Sequence, residues 1–361
     1  MRKIETHFIP ENVAPVGTKH IVVMQNDANG NPVRTVGRIP LGGLAVPALG
    51  DKLYSFGVIS DLHVFNPETG SYKDDTTANG DYERALKFYN NNADFICQCG
   101  DLVGYVNKDI ATYKSIQANI QAEDGHILPI YSVSGNHENW GLLFDETTLG
   151  FPLYYSFTQG NDVFIMVGFY NWTEETDRPV FTQEELQWLY ETLEENRNKR
   201  CFVFQHSNLH DGDFCGNPLG LHTGRELKGN SETVFKSLMA HYKNSIFFHG
   251  HTHTLYECQE VSSIANYDKT LGSHSLHVPS LAIPYDVRSG TRKPAYGQSQ
   301  GGLIDVYPNH IVHNGLDFVN GKTVNGIFVP AIVPMATYCL DTTLLTVDGK
   351  TYSDPTDTII T

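Results

Sequence analysis

Five short apolar runs in this chain each end in side chains able to bind a metal ion: Asp61-Leu62-His63, Gly100-Asp101, Gly135-Asn136-His137-Glu138, Gln205-His206 and Gly250-His251-Thr252-His253. Carboxylate and amide oxygens mixed with imidazole nitrogens suit Zn, Mn or Fe and do not suit a soft-metal site. In α/β architectures the C-terminal ends of strands converge on one edge, and ligands bind there. Collected at such an edge, Asp61, His63, Asp101, Asn136, His206, His251 and His253 would surround a pair of cations. The glycines before Asp101, Asn136 and His251 fit strand-to-loop turns with close backbone approach. Taken singly, each fragment is common. The weight lies in finding all of them in order, each after an expected strand.

In this combination the chain resembles the calcineurin-like metallophosphoesterase superfamily, over roughly residues 53 to 315. The resemblance implies an α/β fold of four layers, a two-sheet β-sandwich flanked by helices, with a dinuclear metal centre of Mn, Fe or Zn. It implies that Asp61, His63 and His253 hold the first metal and that Asn136, His206 and His251 hold the second. Asp101 would bridge both, and His137 would be the catalytic residue beside the scissile bond. The physical logic agrees. Two cations ~3.5–4 Å apart need a shared anionic ligand to relieve their repulsion. A water between them loses a proton near neutral pH and becomes the nucleophile. The cations take up charge on the phosphoryl oxygens. His137 can then give a proton to the leaving oxygen or stabilise charge there.

Departures narrow the subclass. Protein Ser/Thr phosphatases of this superfamily typically carry Gly-Asp-x-x-Asp-Arg-Gly, whereas here Gly104 replaces the second Asp and Tyr105 replaces the Arg. That argues against a phosphoprotein phosphatase and leaves open what orients His137. Purple acid phosphatases place Tyr where Gly104 sits, so their iron–tyrosinate colour is not expected. What remains is similar to the cyclic-nucleotide and glycerophosphodiester phosphodiesterases. The expected activity is hydrolysis of a small phosphodiester. The alternatives are a phosphomonoesterase or nucleotidase, and a phage tail-associated structural protein that retains the metals.

Stepping from the ligands to the elements that must place them, Tyr54–Ser60, Phe95–Gly100, Ile127–Gly135, Cys201–Gln205 and Ser245–Phe248 read as the strands leading into the motifs. Asp81–Asn91, Ile110–Ala122 and Ser231–Tyr242 read as helices. Thr182 and Glu185 form a capping box that opens a further helix, Thr182–Asn196. Leu153–Phe157 and Val163–Phe169 should pair antiparallel, and Leu255–Val261, Ser275–Val278, Leu303–Tyr307 and Ile311–His313 are strand-like. Ser207–Gly229 and Tyr285–Gly301 read as long irregular loops, which are usually functional or disordered. Ahead of all this, His20–Gln25 and Val33–Ile39 should pair around Asn29-Gly30. The expected division is a small β appendage at 1–50, a catalytic domain at 51–318 and a strand-rich tail at 319–361, with a strand at Leu340–Val347.

Composition sets outer limits. The 361 residues fit two domains or one large domain with appendages. With 41 Asp+Glu against 25 Lys+Arg, the net charge of −16 disfavours nucleic acid and anionic membranes. A phosphate-bearing substrate is still admitted, because bound cations invert the local field. The longest apolar stretch, Gly326–Ala336, is short and carries Pro330 and Pro334, so no membrane span is expected. The N-terminus has no apolar core of a secretory signal. The six scattered cysteines read as reduced thiols. These features point to a cytoplasmic protein. The segment Ala14–Pro47 faintly resembles leaders of phage tail-associated proteins, which would make the protein virion-associated, with phage tail components as partners.

Secondary candidates carry less. His210, His222 and Arg225 follow His206 in a loop and can reach a substrate phosphate or simply be solvated. Arg288, Arg292 and Lys293 form a basic cluster that suits an anionic substrate or plain exposure. Cys97 and Cys99 share a strand face as small buried hydrophobes. Trp140 and Phe144 favour core packing over base stacking, and His249 is either a core residue or a support for the ligands.

Overall fold

The run Cys-Phe-Val-Phe at Cys201–Phe204 is buried at every position, so this strand must be covered on both faces. The same holds for Tyr54–Ile59, Phe95–Gln98, Asp162–Val167 and Ser245–His249. The chain meets that demand by stacking helices, sheet, sheet and helices. The structure is a computed structural model and describes residues 4–8, 20–26, 32–40, 51–68, 76–104, 107–139, 149–168, 171–172, 179–209, 227, 229–258, 265–267, 274–324, 327–342, 346–347 and 350–351.

The strands of the two central sheets are, in chain order, β1 (Tyr54–Ile59), β2 (Phe95–Gln98), β3 (Ile130–Ser132), β4 (Tyr154–Gln159), β5 (Asp162–Val167), β6 (Cys201–Phe204), β7 (Ser245–His249), β8 (Ala265–Tyr267), β9 (His274–His277), β10 (Gln300–Val306), β11 (His310–Val324) and β12 (Ile327–Asp341). One sheet is ordered β12-β11-β10-β1-β2-β3 and the other β8-β9-β7-β6-β5-β4. Within the first, β1, β2 and β3 are parallel. Within the second, β5, β6, β7 and β9 are parallel. The expected β4–β5 hairpin forms.

Alternate side chains along each strand go to different layers. Phe56 and Val58 of β1, Phe95 of β2, Phe164 of β5, Phe202 and Phe204 of β6 and Phe248 of β7 meet between the sheets. Their rings interlock: Phe56 meets Phe164 edge-on at 5.2 Å, and Phe164–Phe202 and Phe204–Phe248 stack at 4.8 Å. The outer face of the first sheet is covered by Tyr82, Leu86 and Tyr89 of α1 (Ala78–Asn92) and Ile110 and Tyr113 of α2 (Asn107–Asp124). The outer face of the second packs on Leu189 and Leu193 of α3 (Gln183–Glu195) and on Phe235 and Leu238 of α4 (Gly229–His241). Where the strands enter, Asp162 ties the sheets together. It accepts from Tyr54 Oη at 2.6 Å and from Arg200 Nη2 at 2.6 Å, a charge-assisted pair closed to solvent.

Several expected limits shift for local reasons. The strand expected at Ile127–Gly135 is only Ile130–Ser132, because the chain beyond it turns into one helical turn, Asn136–Asn139. Tyr256–Cys258 is a 3-10 turn and not part of a strand: Tyr256 N donates to Gln300 Oε1 and Cys258 N to Leu255 O, so neither is available to a ladder. Tyr285–Gly301 is not irregular throughout, since Tyr285–Asp286 pairs with Lys293–Pro294. The expected limit at 318 falls inside β11, and β12 forms the edge of the first sheet. Leu340–Val347 is not one strand: Thr342 donates to Asn309 O and accepts from Arg200 Nη1, which draws the chain out of the ladder after Asp341. Near the N-terminus, His20–Asn26 and Pro32–Pro40 pair antiparallel as expected, with Ile4–Phe8 as a third strand. The Asn29-Gly30 turn and the 41–50 linker lie outside the described residues. No helix among the described residues is long and apolar enough to cross a membrane.

The Thr182 half of the expected capping box opens α3, its Oγ1 accepting from Glu185 N at 3.1 Å, while the Glu185 carboxyl oxygens are buried without a hydrogen bond. Burial pushes that carboxyl up to about 9, against a smaller downward pull from the Thr182 backbone. An unfolded glutamate titrates near ~4.3. Between these values the folded state keeps a proton that the unfolded state has released, so stability falls as pH rises through that window. Glu185→Gln, which keeps the shape and removes the titration, should raise Tm at pH 8 by several degrees and flatten the decline between pH 5 and 9 in thermal melts.

Candidate metal centre

β1, β2, β3, β6 and β7 all point their C-terminal ends at one edge of the sandwich, and the five motifs follow them directly. The structure brings together the eight residues that the five motifs supply as ligands and catalytic group, and all are buried: Asp61, His63, Asp101, Asn136, His137, His206, His251 and His253. Ligand-competent atoms of Asp61, His63, Asp101 and His253 all lie within 4.8 Å of one another, as do those of Asp101, His206 and His251. Asp101 belongs to both groups. Its Oδ2 is 3.4 Å from His206 Nε2, 3.8 Å from His137 Nε2 and 3.9 Å from His63 Nε2. Asn136 Oδ1 stands 3.2 Å from His206 Nε2.

The backbone is bent to achieve this. Asp61, His63, Asp101, His251 and His253 have φ of 51, 44, 51, 71 and 58°. Residues with a side chain rarely enter that region, and each costs on the order of 1–2 kcal/mol. Among the described residues, no other non-glycine residue has a positive φ. The strain is held by clamps on neighbouring loops. Glu138 receives Asp101 N at 3.0 Å, Leu102 N at 2.7 Å, Val103 N at 3.1 Å and Gly135 N at 2.7 Å, fastening the loop after β2 to the loop after β3. Ser280 Oγ donates to Asp61 O at 2.8 Å and accepts from Ala282 N and Ile283 N. Gly135 and Gly250 are needed for space, since a Cβ at either would overlap the Asp101 or Asp61 carboxylate.

Each aspartate uses one oxygen for the protein and turns the other inward. Asp101 Oδ1 accepts from His137 N at 2.9 Å. Asp61 Oδ2 accepts from Ser60 Oγ at 2.6 Å and His251 N at 2.9 Å. Asp61 Oδ1 is buried with no hydrogen bond, 2.9 Å from His253 Nε2. Two histidines are aimed by backbone carbonyls: His206 Nδ1 faces Cys99 O at 2.6 Å and His253 Nδ1 faces Ile283 O at 2.8 Å. A carbonyl only accepts, so each Nδ1 carries the proton and each Nε2 offers a lone pair to the centre. His251 is reversed, its Nδ1 lying 3.1 Å from His206 Nε2. Inward lone pairs around an unbonded carboxylate oxygen form a donor set that fits divalent cations.

The protein's own charges keep a carboxylate ionised for a cation and place a competing proton on His206. Burial tends to raise the Asp101 carboxyl, but His206, His137 and His63 outweigh it and hold it well below the usual range. Burial holds His63 far below its ordinary value. Burial also lowers His206, yet the Asp101 and Asp61 carboxylates carry it up to about 9. Burial and the Asp101 charge push the Glu138 carboxyl up to about 7.

Other candidates fall elsewhere. Cys97 and Cys99 are fully buried, with thiols raised by burial, as small hydrophobes should be. His249 is buried beside His277, outside both donor groups, and burial lowers it to about 3. Arg288 is paired with Asp286 on the surface, while Arg292 lies over the Tyr285 ring at 4.0 Å. His210, His222, Arg225, Trp140 and Phe144 lie outside the described residues. Glu138 stood in the quoted motif with no role given to it, and Ser280 was not singled out. A buried acid after Asn-His is the one available sign for Glu138, and nothing local marks Ser280.

A family model for calcineurin-like phosphoesterases matches residues 54–255. The chain belongs to that family. It is a metal-dependent phosphoester hydrolase, and the fold implied by its motifs is the one the structure has. Among solved structures it is similar to vacuolar protein sorting 29 from Cryptosporidium parvum, with 13% identity over 78% of this chain and 97% of that one and a TM-score of 0.36. It is also similar to a predicted phosphoesterase from Streptococcus pneumoniae, with 11% identity over 77% and 97% and a TM-score of 0.35. A third is the phosphoesterase YfcE from E. coli, with 13% identity over 77% and 96% and a TM-score of 0.32. No curated protein matches the sequence.

Because His206 stands at about 9 among its own carboxylates, a cation entering the site must displace a proton from it at neutral pH. Calorimetric titration with Mn²⁺ at pH 7 in buffers of different ionisation enthalpy should show proton release, with affinity rising as pH rises from 6 to 9. Glu138→Gln, which places an amide N–H₂ against backbone donors, should weaken Mn²⁺ binding roughly 10–100-fold.

Proposed function

We propose that the chain hydrolyses small phosphodiesters at a two-cation centre. The carrying observation is Asp101, whose carboxylate belongs to two separate donor groups. Asp61, His63 and His253 would hold one ion, and Asn136, His206 and His251 the other. The donor set suits Mn, Fe or Zn. Bound cations would supply Lewis acidity to the phosphoryl oxygens and a nucleophilic hydroxide at neutral pH.

The chain's own residues do the rest. His137 presents Nε2 on the Asp101 side of the cluster; once that nitrogen has taken up a proton, it is the atom placed to pass it to the leaving oxygen. Burial of all the donor side chains keeps bulk water away and strengthens their electrostatics. Asn136 contributes no charge, leaving its ion more electrophilic than a carboxylate would. Gly104 and Tyr105, which stand where phosphoprotein phosphatases place Asp and Arg, weigh against a phosphoprotein substrate, and the likeness of the remaining motifs to phosphodiesterases supports the diester. The catalytic unit in this reading starts at 51 and runs past 318 to the end of β12 at Asp341. A structural role in a virion rests on the likeness of Ala14–Pro47 to phage leaders alone.

With Mn²⁺ present, the protein should hydrolyse bis-p-nitrophenyl phosphate faster than p-nitrophenyl phosphate. His137→Ala should lower kcat by about 10²–10⁴-fold, and Asp101→Ala should abolish turnover along with metal loading. Absence of hydrolysis with every divalent metal tried would refute the reading, and a faster monoester rate would replace it with a phosphomonoesterase or nucleotidase.

A further inference from the structure

His137 Nδ1 lies against the backbone carbonyl of Gly104. As with His206 and His253, an acceptor on Nδ1 keeps the proton there and turns Nε2 inward, here 3.8 Å from Asp101 Oδ2. Residue 104 is held from more than one direction. Its N–H donates to Val64 O at 2.9 Å, and Val64 N donates to Leu102 O at 3.1 Å. Val64 and Val103 form an isolated parallel bridge, so the segment after Asp101 is laddered onto the turn that carries Asp61 and His63. On the Cα side of Gly104 stands buried Asp109, whose Oδ2 would be 2.9 Å from a Cβ at residue 104. The same carboxylate accepts from Asn66 N at 2.7 Å through Oδ1, fastening the far end of that turn.

Gly104 is not among the glycines with positive φ. Its backbone conformation is open to any residue, and it is the space that is not. A side chain here must displace either the Asp109 carboxylate or the carbonyl that touches His137.

We infer that Gly104 is a positioning residue for hydrolysis: its backbone carbonyl, fixed by the Gly104 N–H bond to Val64 in a place where Asp109 leaves no room for a side chain, sets the tautomer and aim of His137. A neutral carbonyl orients the imidazole without adding a second negative charge beside Asp101. The catalytic consequence rests on the hydrolase reading above, whereas the geometry does not.

The test has two readouts. The first is ¹⁵N NMR of histidine-labelled full-length protein, with the His137 signals identified by their loss in His137→Ala. The wild type should show His137 protonated on Nδ1, with or without metal, and an Nδ1 that carries no proton would overturn the assignment. The second is kinetic. Gly104→Ala should lower kcat on bis-p-nitrophenyl phosphate roughly 10–100-fold, the scale of a misplacement of about 1 Å, with KM and metal content unchanged. In the His137→Ala background the same substitution should change kcat less than about two-fold, because its target is gone. Equal losses in both backgrounds would show that Gly104 acts elsewhere. If Gly104→Ala does not fold, the wild-type spectrum still decides the tautomer. If the wild type hydrolyses nothing, the hydrolase reading fails, and the spectrum still decides this one.

Discussion

Two carboxylates and a set of imidazole lone pairs buried within a few ångströms of each other cannot be stable on hydrogen bonds alone. Burying an ionised carboxylate without a partner is expensive, and inward nitrogen lone pairs repel. His206 Nε2 and His251 Nδ1 are 3.1 Å apart, and His63 Nε2 and His253 Nε2 are 3.2 Å apart. Only positive charge among them relieves this, as shared protons or as cations. The rest of the molecule can be understood as the frame that holds these groups in an arrangement they would not adopt by themselves.

That frame works by separating strain from stability. The core between the sheets is close-packed and aromatic, and the entry end of the strands is locked by Tyr54, Asp162 and Arg200. The left-handed residues gather at the opposite end, after the strands have stopped. A strand end is a suitable place for such a residue. Behind it the ladder fixes position, and ahead of it the chain is free to bend. Glu138 and Ser280 then fasten loop to loop, so that movement of one ligand is resisted by another's support. Neither clamp supplies a donor to the two groups of ligand atoms.

The ligands were legible in sequence because each obeys a local rule: an apolar strand, a turn, then a metal-binding side chain. Asp61 and His253 are 192 positions apart in the chain, but each can be recognised from its own few neighbours. The four-layer fold was legible for a similar reason, since strands such as Cys201–Phe204 are apolar at every position and demand two covers. What was not legible depends on long-range partners. Tyr256 leaves the strand pattern because Gln300 takes its N–H, and the chain turns after Asp341 because Thr342 meets Asn309 and Arg200. The role of Glu138 depends on four backbone donors from two loops, which no periodicity reveals.

The choice of acceptors behind the histidines follows from the charge already present. Asp101 and Asp61, with a smaller contribution from the Cys99 carbonyl, lift His206 to about 9 against its burial. Further carboxylates behind the rings would stabilise the protonated imidazoles still more, and protonated imidazoles do not bind cations. Backbone carbonyls of Cys99, Ile283 and Gly104 bring no net charge to the rings they aim. They are acceptors strong enough to fix a tautomer, they carry no net charge, and they belong to segments already pinned to the sheets or to a neighbouring loop. A centre built this way takes its inward-facing negative charge from two aspartates, while the third acid, Glu138, is turned away to four backbone N–H groups.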